Sequence, residues 1–217
     1  MHTFGFLGHR REQEKAQPRI TSFRCAKAAA PITIGSHLQH DLAMQCSLDP
    51  AVRALRFLPS LPFEGATIAV EMIVADFDDG RFALDIVEDR PLRDLDSDGL
   101  LLLAIAESGI ALKETSAEEI LAEPFATNCR HVWTHRSAGL PPTKVASITE
   151  ALRAHGPMHI SELSKVIHFQ GDIIPIVYSM ACADLVELDL HSGLNARMLV
   201  SIRRPAPASG KLLPWRE

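Results

Sequence analysis

No stretch of this chain approaches the run of about eighteen apolar residues that a membrane-spanning helix needs. The N-terminus, MHTFGFLGHRREQEKAQPR, places its charges after a short apolar start, the reverse of a signal peptide. A cytoplasmic protein with no membrane association is the expectation. Paired cysteines are absent too: Cys25, Cys46, Cys129 and Cys182 are scattered without CxxC spacing. That fits reduced, packed thiols better than a disulfide framework or a structural zinc site. There is no GxGxxG, P-loop, GxSxG or HExxH motif, so small-molecule enzymology has little footing.

What is present is a core. The 217 residues are 47% hydrophobic, enough for one or two packed domains. The net charge of −5 conceals an uneven distribution. Counting Lys and Arg against Asp and Glu, residues 1–35 carry 6 against 2, residues 36–130 carry 7 against 18, and residues 131–217 carry 9 against 7. An acidic middle between basic flanks suits a protein that meets phosphates with its ends and gathers divalent metal in its centre. A solvated acidic surface with a basic tail accounts for the same counts.

The most informative segment is 68–91, IAVEMIVADFDDGRFALDIVEDRP, which reads as two strands around Asp78-Asp79-Gly80 with carboxylates inside both strands. A buried ionised carboxylate is costly without a cation, a metal or hydrogen-bond donors. Glu71, Asp85 and Glu88 therefore call for partners.

Four parts follow along the chain: a basic arm at 1–31, a first domain at 32–140, a second at 141–204 and a basic tail at 205–217. In the first domain, residues 34–60 show helical spacing through Leu38, Leu42 and Cys46, then Val52, Leu55 and Leu58. Asp49-Pro50 reads as the cap and first position of a second short helix. After the hairpin, Asp96-Ser-Asp-Gly leads into an apolar helix at 100–108 and a strand at 109–113, and Thr115 with Glu118 forms a capping box.

Beyond Leu140-Pro-Pro the pattern becomes a helix at 144–154, a strand at 158–160 and a helix from Ser161 to Phe169. A third helix opens at Asp172 with Pro175 in its first turn, and strands follow at 186–190 and 198–203. Three helices followed by a hairpin is the winged-helix plan. Its third helix contains no Lys or Arg, although such side chains supply most DNA affinity. Protein packing or dimerisation competes with DNA contact here, the latter through Arg197, Arg203, Arg204, Lys211 and Arg216, and through Arg10 and Arg11 of the arm.

Ser36-His-Leu-Gln-His-Asp41, Leu48-Asp-Pro-Ala-Val52, Leu61-Pro62-Phe63, the 68–91 hairpin and residues 109–120 with Asn128 together resemble the TnsA-like heteromeric transposase endonucleases. The resemblance covers about residues 30–204 and rests on pattern and order. It implies an α/β fold: a restriction-endonuclease-like mixed sheet flanked by helices, followed by an α+β winged helix. It also implies carboxylates holding Mg²⁺ or Mn²⁺ and a lysine beside the attacking water.

The carry-over is imperfect. Gln39 stands where the helix glutamate belongs, with Asp41 beside it, and Glu71 replaces the hairpin aspartate. The final pair is either Asp85-x-Val87, with no cation, or Glu88-x-Arg90, whose always-protonated guanidinium is a poor general base. These registers exclude each other on a strand, because a shift of three residues reverses the face.

Histidines offer a competing metal set: His37 and His40 beside Asp41, or Cys129, His131 and His135 as CxHxxxH. Exposed or core-satisfied histidines are the alternative. Two function classes result. One is a DNA-binding or assembly subunit with a degenerate site, working with DNA and a transposase-like partner or as a homo-oligomer. The other is an active Mg²⁺- or Mn²⁺-dependent DNA endonuclease acting at a mobile-element end.

Overall fold

The computed structural model describes residues 21–205. Strands β1 (Thr21–Phe23) and β2 (Ile32–Ile34) form an antiparallel pair that leads into helix α1 (His37–Leu48). Ser36 caps α1 by accepting the Gln39 N–H at 3.0 Å. The helix ends at Leu48 because Pro50 disfavours the helical conformation at Asp49, which sits at ψ 120°.

No second helix follows. Val52 to Phe63 is strand β3 (Val52–Phe63), paired antiparallel with β4 (Ala66–Phe77). The spacing of Val52, Leu55 and Leu58 suggested a helix, but Pro59 and Pro62 cannot sit inside one. On β3 they are tolerated because this strand forms an edge of the sheet.

The main sheet has the order β3-β4-β5-β6, with β5 (Arg81–Ile86) antiparallel to β4 and β6 (Ala111–Thr115) parallel to β5. The β3–β4 turn uses Glu64 and Gly65, both at positive φ, as a tight two-residue hairpin requires. Between β5 and β6 the chain crosses over through helix α2 (Leu95–Glu107), capped by Asp94. This start lies five residues before the expected Leu100.

Alternation along the strands gives the sheet two apolar faces. Ile73, Ala75, Phe77, Leu84 and Ile86 join a cluster with α1. Val70, Val74 and Ala83 pack with Leu101, Ala104 and Ile105 of α2. The architecture is thus mixed α/β, a four-stranded mixed sheet flanked by helices.

Helices α3 (Ala117–Ile120) and α4 (Phe125–Trp133) follow. The capping box before α3 is Ser116 with Glu119, one residue later than Thr115 with Glu118. The remaining elements are α5 (Pro142–His155), β7 (Met158–His159), α6 (Ile160–Val166), α7 (Ile174–Cys182), β8 (Val186–Leu188) and β9 (Leu199–Ile202). The three strands form a small antiparallel sheet in the order β7-β9-β8. The cap of α6 is His159, whose N–H is bonded by Glu162 three residues on, and not Ser161.

One buried cluster runs through both sides of Leu140-Pro-Pro, from Phe23, Met44 and Trp133 to Val177, Met180 and Val200. Helix α7 packs on α1 and α4. Polar ties reinforce the junction. Asn128 Nδ2 donates to the carbonyls of Leu190 and Ser192. Buried Lys27 Nζ meets the Asp49 carbonyl at 2.5 Å and lies 3.5 Å from the Asp184 carboxylate. Among the described residues, no helix is long and apolar enough to cross a membrane.

Candidate functional site

Four of the residues singled out in the sequence, Gln39, Glu71, Asp85 and Arg90, come together. Gln39 of α1, Glu71 of β4 and Asp85 of β5 line one cleft of about 190 Å³, with Asp89, Arg90 and Arg93 from the segment after β5. The cleft also draws the ends of two apolar clusters to one place, since Leu42 and Ile73 line it beside Val70.

Glu71 owes its position to a β-bulge. Leu58 pairs with Met72 and Ser60 with Ala69, so Pro59 alone faces both Val70 and Glu71. Glu71 takes φ 53°, a left-handed conformation uncommon for any residue but glycine. Bulges of this kind re-aim a side chain, and Glu71 is exposed at the cleft rather than turned into the core.

Asp85 is buried and already has its cation. Arg90 Nε donates to Asp85 Oδ2 at 2.8 Å, and Nη2 lies 2.6 Å from the same oxygen. The guanidinium also bonds Glu114 of β6, the residue paired with Asp85 in the parallel register. Hydrogen bonds to Asp85 and then Glu114 push the Arg90 guanidinium's proton affinity above its ordinary value.

Of the two registers considered for the last strand, the structure keeps Asp85 beside Glu71 and not Glu88, but Val87 lies past the strand and the cation that this register lacked is supplied by Arg90. The strand ends at Ile86, Val87–Asp89 is a tight 3-10 turn, and Arg90 folds back onto Asp85. Glu88 leaves the site: its Oε2 accepts the Ala117 N–H at 2.8 Å, at the start of α3. Asp89 takes a hydrogen bond from the Ser36 hydroxyl and so ties this turn to the beginning of α1.

The other candidates have structural partners. Gln39 Oε1 accepts the Gly35 N–H at 2.8 Å, which engages one lone pair of the oxygen it would offer to a metal. Asp41 pairs with Arg130 of α4 at 2.6 Å and holds the two helices together outside the cleft. His37 is exposed, and His40 stands edge-on to Phe23 with ring centroids 5.5 Å apart. Cys129 is fully buried in the core, while His131 and His135 both pack edge-on against Tyr178.

Among the described residues, no three His, Cys, Asp or Glu side chains converge to hold a metal ion. As placed, this donor set does not fit Mg²⁺, Mn²⁺ or zinc: Asp85 faces a guanidinium and Gln39 a backbone N–H.

The proposed phosphate-contacting arginines separate in the same way. Arg197 is exposed. Arg203 is not available: its side chain is 12% exposed, lies 2.9 Å from Asp184, and donates to Glu187 and to the carbonyls of Pro50 and Val52. Arg204 is exposed but bonds buried Glu187 at 3.1 Å. Arg10, Arg11, Lys211 and Arg216 lie outside the described residues.

Sequence reasoning missed Glu114 and Asp89. A carboxylate on the short apolar run before α3 was the available sign for Glu114, but its role depends on the parallel register with β5. Neither a protein-family model nor a curated protein matches the chain.

Proposed function

We propose that this chain is a non-catalytic assembly subunit with a TnsA-like nuclease fold, acting beside a transposase or another DNA-processing partner. The observation that carries the reading is the Arg90 guanidinium seated on Asp85, in the position where a metal-dependent nuclease needs a cation it can exchange. Gln39 in place of a helix glutamate and the missing lysine point the same way. A site with one neutralised carboxylate and no lysine among the described residues lining it has little means of activating water.

The fold parallels that support the resemblance are the helix, long hairpin and parallel fourth strand of the main sheet, and then α5, β7, α6, α7, β8 and β9 in winged-helix order. Within this reading α7 does not enter a DNA groove. Val177 to Cys182 are buried, and the helix carries no Lys or Arg. Contact with DNA falls to Arg197 and the basic ends, which favours an assembly role over sequence recognition.

The test is cleavage of supercoiled and linear DNA in Mg²⁺ and in Mn²⁺, with the wild type beside Glu71→Ala and Asp85→Ala. No metal-dependent nicking by the wild type is expected. Nicking that either substitution abolishes would establish the active endonuclease instead. A salt titration of DNA affinity separates the two non-catalytic roles, since a DNA-binding subunit loses affinity steeply with salt.

A further inference from the structure

Helix α2 is apolar on two faces. Its inner face, Leu101, Ala104 and Ile105, is buried against the sheet. On the other side Leu95, Gly99, Leu102, Leu103 and Ala106 follow one another at i, i+4, i+7, i+8 and i+11, the spacing of a helix that buries a second stripe. Nothing in the described chain covers it: Leu95 is 87% exposed, Leu102 50% and Leu103 56%.

Gly99 adds an independent sign. A glycine inside a helix costs about 0.5–1 kcal/mol relative to alanine. Here a Cβ would meet nothing within 4 Å, and the residue is not at positive φ, so the fold itself has no use for it. A second backbone approaching closely would have one.

The rim of the stripe is acidic. By helical geometry Asp96 and Glu107 lie on one side and Asp98 on the other, with Asp94 at the cap, and α2 contains no basic residue. Leu102 also lines a groove of about 160 Å³ with Met72 and Leu112, an apolar anchor point. The Asp98 and Glu114 of this groove are paired with Arg93 and Arg90, so the acidic excess of the rim rests on Asp94, Asp96 and Glu107.

We propose that the outer face of α2 docks an amphipathic helix of a partner protein, with apolar residues on one side flanked by Lys and Arg. Charge selects this occupant over a second copy. Two α2 faces meeting in either direction would set Asp94, Asp96 and Glu107 against the same acidic set. The inference rests on the assembly reading, but DNA cleavage leaves it untouched and peptide binding leaves the nicking result untouched, so the two fail separately.

The experiment is fluorescence anisotropy with the full chain and a labelled synthetic helical peptide of about three heptads, leucine on one face and Lys and Arg on the flanks. Binding is expected, weakened by salt. A Glu-flanked peptide with the same apolar face should bind at least about tenfold more weakly. Leu103→Asp should lose about tenfold in affinity with the circular dichroism spectrum and Tm unchanged. Absence of binding, equal binding of the two peptides, or an unaffected Leu103→Asp would overturn the proposal. Self-association in ultracentrifugation that Leu103→Asp abolishes would give the face to a second copy. Slow alkylation of a Leu103→Cys variant in the free chain would mean that the chain covers the face itself, and either result also overturns the proposal.

Discussion

Helices α2 and α7 are both rich in large apolar residues, yet the molecule uses them in opposite ways. In α7, Val177 through Cys182 are buried without interruption, because the helix is enclosed by α1, α4 and α5 and by the small sheet. In α2 only Leu101, Ala104 and Ile105 are buried, because a helix on the outside of a sheet has one covered side. Apolar content therefore does not tell where a helix stands. The apolar surface of α7 is spent on the core, and the surplus apolar surface lies on the crossover helix of the other sheet.

The sharpest way to break this contrast is to truncate one side chain in each helix. Met180→Ala, at a fully buried position in α7, is expected to destabilise the chain by about 2–5 kcal/mol, through lost burial and the cavity left behind. Leu103→Ala on the outside of α2 should stay within about 0.5 kcal/mol. Urea denaturation of both variants decides it. Comparable losses would mean that the α2 stripe is covered within the free chain.

The different legibility of these regions has physical causes. The hairpin around Asp78-Asp79-Gly80 and the elements from α5 to β9 could be read because turn residues, prolines and caps mark their ends locally. Strand β3 could not, since Val52, Leu55 and Leu58 fit a helix as well as a half-buried strand, and only Pro59 and Pro62 argued against it.

In the cleft, Gln39, Glu71 and Asp85 were visible as residues that needed partners. What they received was not: Arg90 reaches Asp85 because the strand stops at Ile86, and Glu88 is drawn off to Ala117 for the same reason. Arg203 looked like a surface cation by its place near the tail. Its burial depends on Asp184, Glu187 and the carbonyls of Pro50 and Val52, which no local pattern brings together.

Alkaline pH sharpens the comparison further, because it acts on the α7 side. Burial pushes the thiols of Cys46, Cys129 and Cys182 from their ordinary 9.0 up to about 12, and all three belong to the cluster that α7 completes. With the folded pKa raised, the unfolded chain loses these protons first. Stability is then fully present below about pH 9 and falls as pH rises toward 12, by about 1.4 kcal/mol per pH unit for each titrating thiol. Lys27 works the other way: burial lowers its pKa from 10.5, so its charging penalty in the folded state fades as pH rises through the lowered value. Burial raises the Cys25 thiol as well, so one lysine stands against four thiols and the net is a fall. Urea midpoints taken from pH 8 upward should decline, and the decline should flatten in Cys182→Ala; a midpoint that holds through pH 10 would place the thiols in contact with solvent.

The smallest effect is the most specific to the exposed helix. Gly99→Ala adds a methyl group where nothing stands within 4 Å, in a helix interior whose backbone alanine favours. The free chain should gain about 0.5–1 kcal/mol, mostly from the reduced freedom of the unfolded state. The same methyl group stands in the path of a helix that packs closely on the Leu95–Leu102–Leu103 stripe, so binding of the basic amphipathic peptide should weaken while stability rises. Opposite signs in the two measurements are the mark of a glycine kept for a partner. A gain in stability with unchanged peptide affinity would show that the docked helix does not approach α2 at this turn.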